Sequence, residues 1–337
     1  MRAANCSRAL VLLGLAASPV SAQLLQLPTA NRAIYEPGAE EKFFAGTAGR
    51  SWTSGTFGCV RSDGHQMHEG IDIRSLQRDR KGEPTDPVLA TADGTVMYIN
   101  AKSGLSNYGN YIVVRHRIDS LEIYSLYGHL REVREGLKAG QPVKAGEQIA
   151  VMGRTTNTRE RISPDRAHVH FELNVLVNDR YSAWHKSALP DQRNDHGDWN
   201  GQNLLGLDPR LILLRQKTEG VRFSLLHFVQ EQTELCRVLV HKPDFPYLRH
   251  YAPLLRRNAI AEKEGVAGYE IALNFNGVPF QITPRRASKI KAAGRYQLLA
   301  VNEAEQKKNP CRKLVAKKGE QWELTAHGIQ LLDQLTF

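Results

Sequence analysis

Residues 168–175 read His-Val-His-Phe-Glu-Leu-Asn-Val, and no other stretch constrains the fold so tightly. On a strand, successive side chains point to opposite faces. His168, His170, Glu172 and Asn174 then share one face, and Val169, Phe171, Leu173 and Val175 the other. On a helix the two histidines would diverge and could not share an ion. A second alternation, His68-Glu69-Gly70-Ile71-Asp72-Ile73, sets His68 and Asp72 on one parity and Ile71 and Ile73 on the other. Period-two patterns of this kind put one row in a core and the other on an open or polar face. Two imidazoles and one carboxylate, with room for water, make up the donor set of a catalytic zinc.

The surrounding sequence is a series of short apolar runs with turn residues between them. Residues 87–90 and 94–99 flank Ala92-Asp93-Gly94, and Asn107-Tyr108-Gly109-Asn110 precedes the run 111–116. Residues 122–127 end at Gly128-His129, and 143–152 are broken by Ala145-Gly146-Glu147. Short strands at this spacing, with almost no helical period, predict a mainly β fold, an antiparallel β-sandwich or open barrel.

A lone His-x-His is usually incidental, and the joint pattern is what carries weight. Phe57-Gly58, His68-Glu69-Gly70-Ile71-Asp72-Ile73, Tyr108-Gly109-Asn110-Tyr111, Tyr127-Gly128-His129-Leu130, Gly140-Gln141-Pro142-Val143-Lys144-Ala145-Gly146 and His168-Val169-His170-Phe171-Glu172 follow one another in order. Together they resemble the lysostaphin- or LytM-type zinc metalloendopeptidases, which cut peptides of bacterial peptidoglycan. The resemblance implies a β-groove whose floor carries one Zn2+ per chain. It makes His68, Asp72 and His170 the metal ligands, and His129 and His168 a catalytic pair near the metal but not bound to it. Three protein ligands leave a fourth position for a zinc-activated water, whose pKa falls from ~15.7 to about 7. The two free histidines can then orient the water, take its proton, and stabilise the oxyanion or protonate the leaving amine. Glu172 and Glu69 are candidates for holding a ligand imidazole, with solvated strand positions as the alternative.

Other histidines read as bland. His116 is structural, His65 exposed in a turn-rich loop, and His185 and His196 polar loop residues. Two loops depart from the family pattern: residues 154–166 are longer and more basic than usual, and residues 178–203 form a polar insertion with Trp184 and Trp199. Rim loops set which substrates enter a groove.

The chain divides into an expected signal peptide at residues 1–22, an irregular lead-in at 23–50, the metallopeptidase domain at 51–212, and a basic C-terminal domain at 213–337. Arg2 and Arg8, an apolar run over residues 9–17, and Val20-Ser21-Ala22 before Gln23 make up the signal. The chain is therefore expected to be exported, periplasmic or extracellular, with no transmembrane segment. Cys236 and Cys311 are the expected disulfide, leaving Cys59 as a small buried hydrophobe.

Residues 23–212 hold 23 Lys or Arg against 23 Asp or Glu, whereas residues 213–337 hold 20 against 12. That excess suits contact with an anionic wall polymer; ordinary solvated charge explains it equally, and no nucleic-acid partner is expected. Within this α+β or β-rich region, residues 221–229 and 235–241 read as strands, and residues 247–257 as a short helix. A hairpin is expected across Asn276-Gly277, and Thr325 should cap a helix over 326–335. The function that follows is an exported endopeptidase acting on peptidoglycan or another peptide. The alternatives are a non-catalytic activator of another wall hydrolase and a peptidase for Gly-rich protein. Non-catalytic members of such a family typically lack one or more of the five site residues, and all five are present here.

Overall fold

The computed structural model describes residues 25–290 and 294–337. The expected signal peptide lies outside them. Strand outweighs helix, and the sheets are antiparallel, as the alternation requires. The largest sheet runs in the order Leu204–Leu207, His168–Leu176, Leu121–Leu130, Asn110–Ile118, Gly94–Asn100 and Pro142–Val143. Ile71–Arg74 joins it beside the first half of His168–Leu176, while Leu204–Leu207 covers the second half of that edge. A small sheet of Pro87–Leu89, Gln148–Val151 and Glu132–Val133 lies against its apolar side.

Val169, Phe171, Leu173 and Val175 enter the main core with Ile71, Ile73, Ile112 and Val114, as their parity dictates. The polar face is not open, however. Every residue of His168–Leu176 is buried, His168, His170, Glu172 and Asn174 included. A second apolar cluster of Tyr111, Val113, Tyr124, Leu126, Leu176 and Leu204 sits on that side, with Trp199 from the polar insertion packed on it. The insertion is ordered by its own helix, Tyr181–Ala188. His185 lies buried on that helix and not in a loop, and His196 hydrogen-bonds the Tyr98 hydroxyl at 3.0 Å. His116 is structural, its Nδ1 on the Asp93 carbonyl at 2.9 Å and its Nε2 on the Ser125 hydroxyl at 2.7 Å. The lead-in buries Phe43 and Phe44, and Ala45 N–H donates to the Asp72 carbonyl at 2.9 Å.

The C-terminal region forms a four-stranded sheet in the order Pro279–Arg286, Val266–Leu273, Cys236–Val240 and Tyr296–Val301. The expected hairpin across Asn276-Gly277 and the Thr325-capped helix Ala326–Thr336 are both present. Residues 221–229 are not a strand. Ser224 caps a short helix, Leu225–Gln230, by accepting from His227 N–H at 3.2 Å, and so closes that run into a turn. Residue 212 lies inside the helix Pro209–Glu219, which Asp208 caps and which Gln216 ties to the Leu25 backbone at 2.8 and 2.6 Å. The two regions share buried hydrogen bonds: Leu176 N–H to Tyr251 Oη at 2.7 Å, Asn276 Nδ2 to the Gly206 carbonyl at 2.8 Å, and Gln334 Nε2 to Asn203 Oδ1 at 2.9 Å.

The cysteine expectation is overturned. Cys59 and Cys311 form the disulfide across 252 residues, and Cys236 is a free, buried thiol at the start of the strand Cys236–Val240. Sharing a region did not bring Cys236 and Cys311 together, because the chain before Cys311 folds back onto the strand Gly58–Arg61. Among the described residues no helix is long and apolar enough to cross a membrane.

Candidate metal centre

Strand register builds the site. His170 on the central strand faces Asp72 across one edge and Gly128 across the other, so His129 follows directly beside it. His68 arrives from the neighbouring strand Gln66–His68 through Gly70. A β-carbon at Gly70 would lie 2.3 Å from the Phe171 carbonyl oxygen, so only glycine lets the His68 segment approach this strand so closely.

His68 Nε2, His170 Nδ1 and Asp72 Oδ1 converge. They lie 3.1 Å (His68 to Asp72), 2.9 Å (His170 to Asp72) and 3.1 Å (His68 to His170) apart. Donors held tetrahedrally at about 2.0–2.2 Å from zinc stand roughly 3.3 Å from one another, so the cluster needs only a small expansion to hold one. Among the described residues, these three make up the one group of histidine, cysteine and carboxylate side chains able to share an ion.

The outward nitrogens decide which atoms face the cluster. His68 Nδ1–H donates to the Thr56 carbonyl at 2.7 Å, leaving Nε2 as a lone pair inward. His170 Nε2–H donates to Glu172 Oε1 at 2.8 Å, leaving Nδ1 inward, and Asn174 Nδ2 holds the other Glu172 oxygen at 2.8 Å. Two lone pairs and a carboxylate oxygen at such distances repel one another unless a cation or a proton lies between them. The titration directions agree. Burial pushes the His68 imidazole down to about 4, against the pull of Asp72. At His170 burial is outweighed by hydrogen bonds to Asp72 and Glu172, which lift it to about 9. A proton there occupies the position a metal would take, and ligation displaces it. Asp72 stays well below the carboxylate range: its burial is overcome by His68, His168 and Arg61.

The second pair of histidines is pinned in the same way but stays outside the cluster. His168 Nδ1–H donates to the Arg166 carbonyl at 2.6 Å, and its Nε2 lies 3.5 Å from Asp72 Oδ2. His129 Nδ1–H donates to the Thr155 carbonyl at 2.8 Å, and its backbone adopts φ +59°, uncommon outside glycine. Their rings pack edge to face at 4.8 Å. Burial lowers both pKa values; for His129 the neighbouring His168 and His170 lower it further. Both rings are neutral at pH 7 with Nε2 free to accept a proton.

All five residues singled out in the sequence therefore meet at one place, and Glu172 accepts a hydrogen bond from the His170 ring. Glu69 makes no hydrogen bond to a ligand ring among the described residues. Two contributors were given no role from the sequence, although Tyr108 lies in one of the segments that carry the resemblance. Arg61 Nη2 donates to Asp72 Oδ2 at 2.5 Å, orienting the carboxylate, and Tyr108 stacks on His170 with ring centroids 5.4 Å apart. The carbonyls of Thr56, Thr155 and Arg166 are backbone groups, which any residue supplies.

Two histidines and an aspartate able to share an ion, set in an antiparallel β fold with two further histidines beside them, define the class. Residues 66–182 match the family description Peptidase family M23. The chain is 39% identical over 134 residues to the Lipoprotein NlpD/LppB homolog of Pseudomonas aeruginosa, covering 38% of this chain and 37% of that protein. It is 37% identical over 95 residues to Lipoprotein NlpD of Yersinia enterocolitica, covering 28% of this chain and 84% of that protein. With the Murein hydrolase activator NlpD of Escherichia coli it shares 37% identity over 106 residues, 32% of this chain and 22% of that protein. The chain thus spans well under half the length of the Pseudomonas and Escherichia relatives. It belongs to peptidase family M23.

Proposed function

We propose that this chain is an exported zinc endopeptidase that hydrolyses peptide bonds of bacterial peptidoglycan, with one Zn2+ held by His68, Asp72 and His170. Bound zinc supplies Lewis acidity at the scissile carbonyl and lowers the pKa of water into the neutral range. The observation that carries the reading is the pair of unligated imidazoles. His129 and His168 are each fixed through Nδ1 to a carbonyl, are neutral, and flank the donor cluster through Nε2. A purely structural metal site needs no such pair; a hydrolase needs a base for the attacking water and a donor for the oxyanion. Neutral rings start as proton acceptors, and the ring that has taken a proton can return it to the departing amine. Arg61 keeps Asp72 ionised and pointed at the cluster, and Glu172 fixes the tautomer of His170.

The second reading, a non-catalytic activator of another wall hydrolase, draws on the name of the Escherichia coli relative and on the enclosure of the site. His68, Asp72 and His170 are each no more than 3% exposed. Placement in the envelope rests on residues 1–22 and on the lipoprotein names of the relatives. The basic excess of residues 213–337 is the part suited to an anionic wall polymer.

Incubation with purified peptidoglycan, beside a soluble protein substrate, separates the readings. An endopeptidase releases new amino termini from peptidoglycan, loses that activity to a chelator and regains it with zinc. An activator releases none alone yet accelerates an added hydrolase.

A further inference from the structure

The basic region contributes one cation to the catalytic half. A cleft of about 670 Å³ opens between the two, lined on one side by Glu69, Tyr108 and Asn157 and on the other by Arg312 and Gln330. It runs beside the metal centre, separated from it by one layer of side chains: Glu69 is the chain neighbour of His68, and the Tyr108 ring lies 5.4 Å from that of His170.

Arg312 is held in this wall by its neighbour. The Cys59–Cys311 disulfide fixes the preceding residue to the strand Gly58–Arg61, and Cys311 N–H donates to Cys59 Sγ at 3.2 Å. The guanidinium is otherwise unmatched. Its Nε is buried without a hydrogen-bond partner, and among the described residues no carboxylate lies within ion-pair distance. The other arginine lining the cleft, Arg193, pairs with Asp195 at 2.7 Å. Burial lowers the Arg312 pKa, and Glu69 and Tyr108 attract it only from a distance. Buried charges in folded proteins are paired, and a guanidinium presents a planar fork that matches a carboxylate.

We propose that Arg312 forms a carboxylate-binding subsite of the groove, taking a carboxylate of the peptide that lies past Tyr108 toward the metal. The amide side chains of Asn157 and Gln330 offer donors and acceptors to the flanking peptide backbone. The subsite deepens the endopeptidase reading and rests on it for the identity of the ligand as a peptide. It also gives the C-terminal region a part in substrate selection that residues 66–182 alone do not contain.

The test uses zinc-loaded full-length chain carrying His168→Ala, so that the probe stays intact. Three probes are compared by calorimetry: N-acetyl tetra-alanine as the free acid, the same peptide as its C-terminal amide, and that amide with one alanine replaced by glutamate. A subsite requires the acid or the glutamate peptide to bind at least tenfold tighter than the plain amide, and which of the two does so identifies the carboxylate. Adding Arg312→Gln should erase the gap, and Arg312→Lys should keep part of it. Equal affinity for all three probes overturns the proposal, as does a gap that survives Arg312→Gln. Should Arg312→Gln fail to fold, the acid–amide gap in the Arg312 protein and its reduction by Arg312→Lys decide. A gap without peptidoglycan cleavage would sink the endopeptidase reading and leave the subsite; cleavage without a gap would sink the subsite alone.

Discussion

The strand His168–Leu176 and the strand Cys236–Val240 each lie inside an antiparallel sheet and each carry ionisable side chains, yet the two settle them differently. In the C-terminal sheet, Arg237 lies 3.0 Å from Glu270, and Arg285 reaches the other oxygen of Glu270 at 2.5 Å. Burial would raise the Glu270 pKa, but the two guanidiniums hold it low, and the row is closed upon itself. In the sheet of His168–Leu176, two imidazole nitrogens and a carboxylate oxygen converge at about 3 Å, and Arg61 meets only the outer oxygen of Asp72. The first arrangement is complete as folded, whereas the second becomes complete only with a positive charge added. The proposed chemistry lies where a buried polar row has been left open.

The comparison is broken most severely by separating the regions. A chain ending after Leu214 loses Tyr251, Asn276, Gln334 and Cys311, each of which bonds to the first half. It also ends within the helix Pro209–Glu219. It should show no cooperative melt by circular dichroism, whereas an independent catalytic half would melt cooperatively and keep its zinc.

Within the open row, ligands and catalytic groups should part company. His129→Ala and His168→Ala are expected to retain zinc by metal analysis while turnover on peptidoglycan falls about 10²-fold or more. Wild-type turnover in both would remove their catalytic role. Zinc loss in His168→Ala would exchange the roles of His168 and His170.

A smaller effect comes from His116, which belongs to neither row. Burial holds its folded pKa near 4, against about 6.5 in the unfolded chain. Above pH 6.5 the ring is neutral in both states and contributes no pH dependence. As the pH falls from 6.5 to 4 the unfolded chain gains a proton that the folded one refuses, so stability declines by about 3 kcal/mol. Urea titrations at pH 7 and pH 4.5 should show a shallower decline in His116→Gln than in the wild type; identical slopes would contradict the assignment.

The alternation that runs along residues 168–175 was enough to read the central strand, its core face and the pairing of His168 with His170. Asp72 was legible because its parity matches His68. The rest depended on contacts that sequence does not encode locally. The partners that select the tautomers of His68, His129 and His168 are backbone carbonyls, and His170 turns Nδ1 inward because Glu172 takes its Nε2. The cover over the polar face comes from the insertion, whose polar composition gave no sign that Trp199 packs inward. Cys59 and Cys311 are 252 residues apart, and only the folded C-terminal region brings them together. Residues 221–229 hold apolar side chains at 221, 223, 225, 226, 228 and 229, a run compatible with either element, and the Ser224 cap turns its second half into helix.

The coordination shell of the metal tests the central claim most directly. X-ray absorption at the zinc edge of the loaded chain, with metal analysis of His68→Ala beside it, reads donor type and stoichiometry without reference to activity. The account predicts one zinc per chain, with two imidazole nitrogens at about 2.0–2.1 Å, one carboxylate oxygen at about 2.0–2.2 Å and no sulfur, and its loss in His68→Ala. A sulfur ligand, three or more imidazoles, or zinc retained in full by His68→Ala would contradict it.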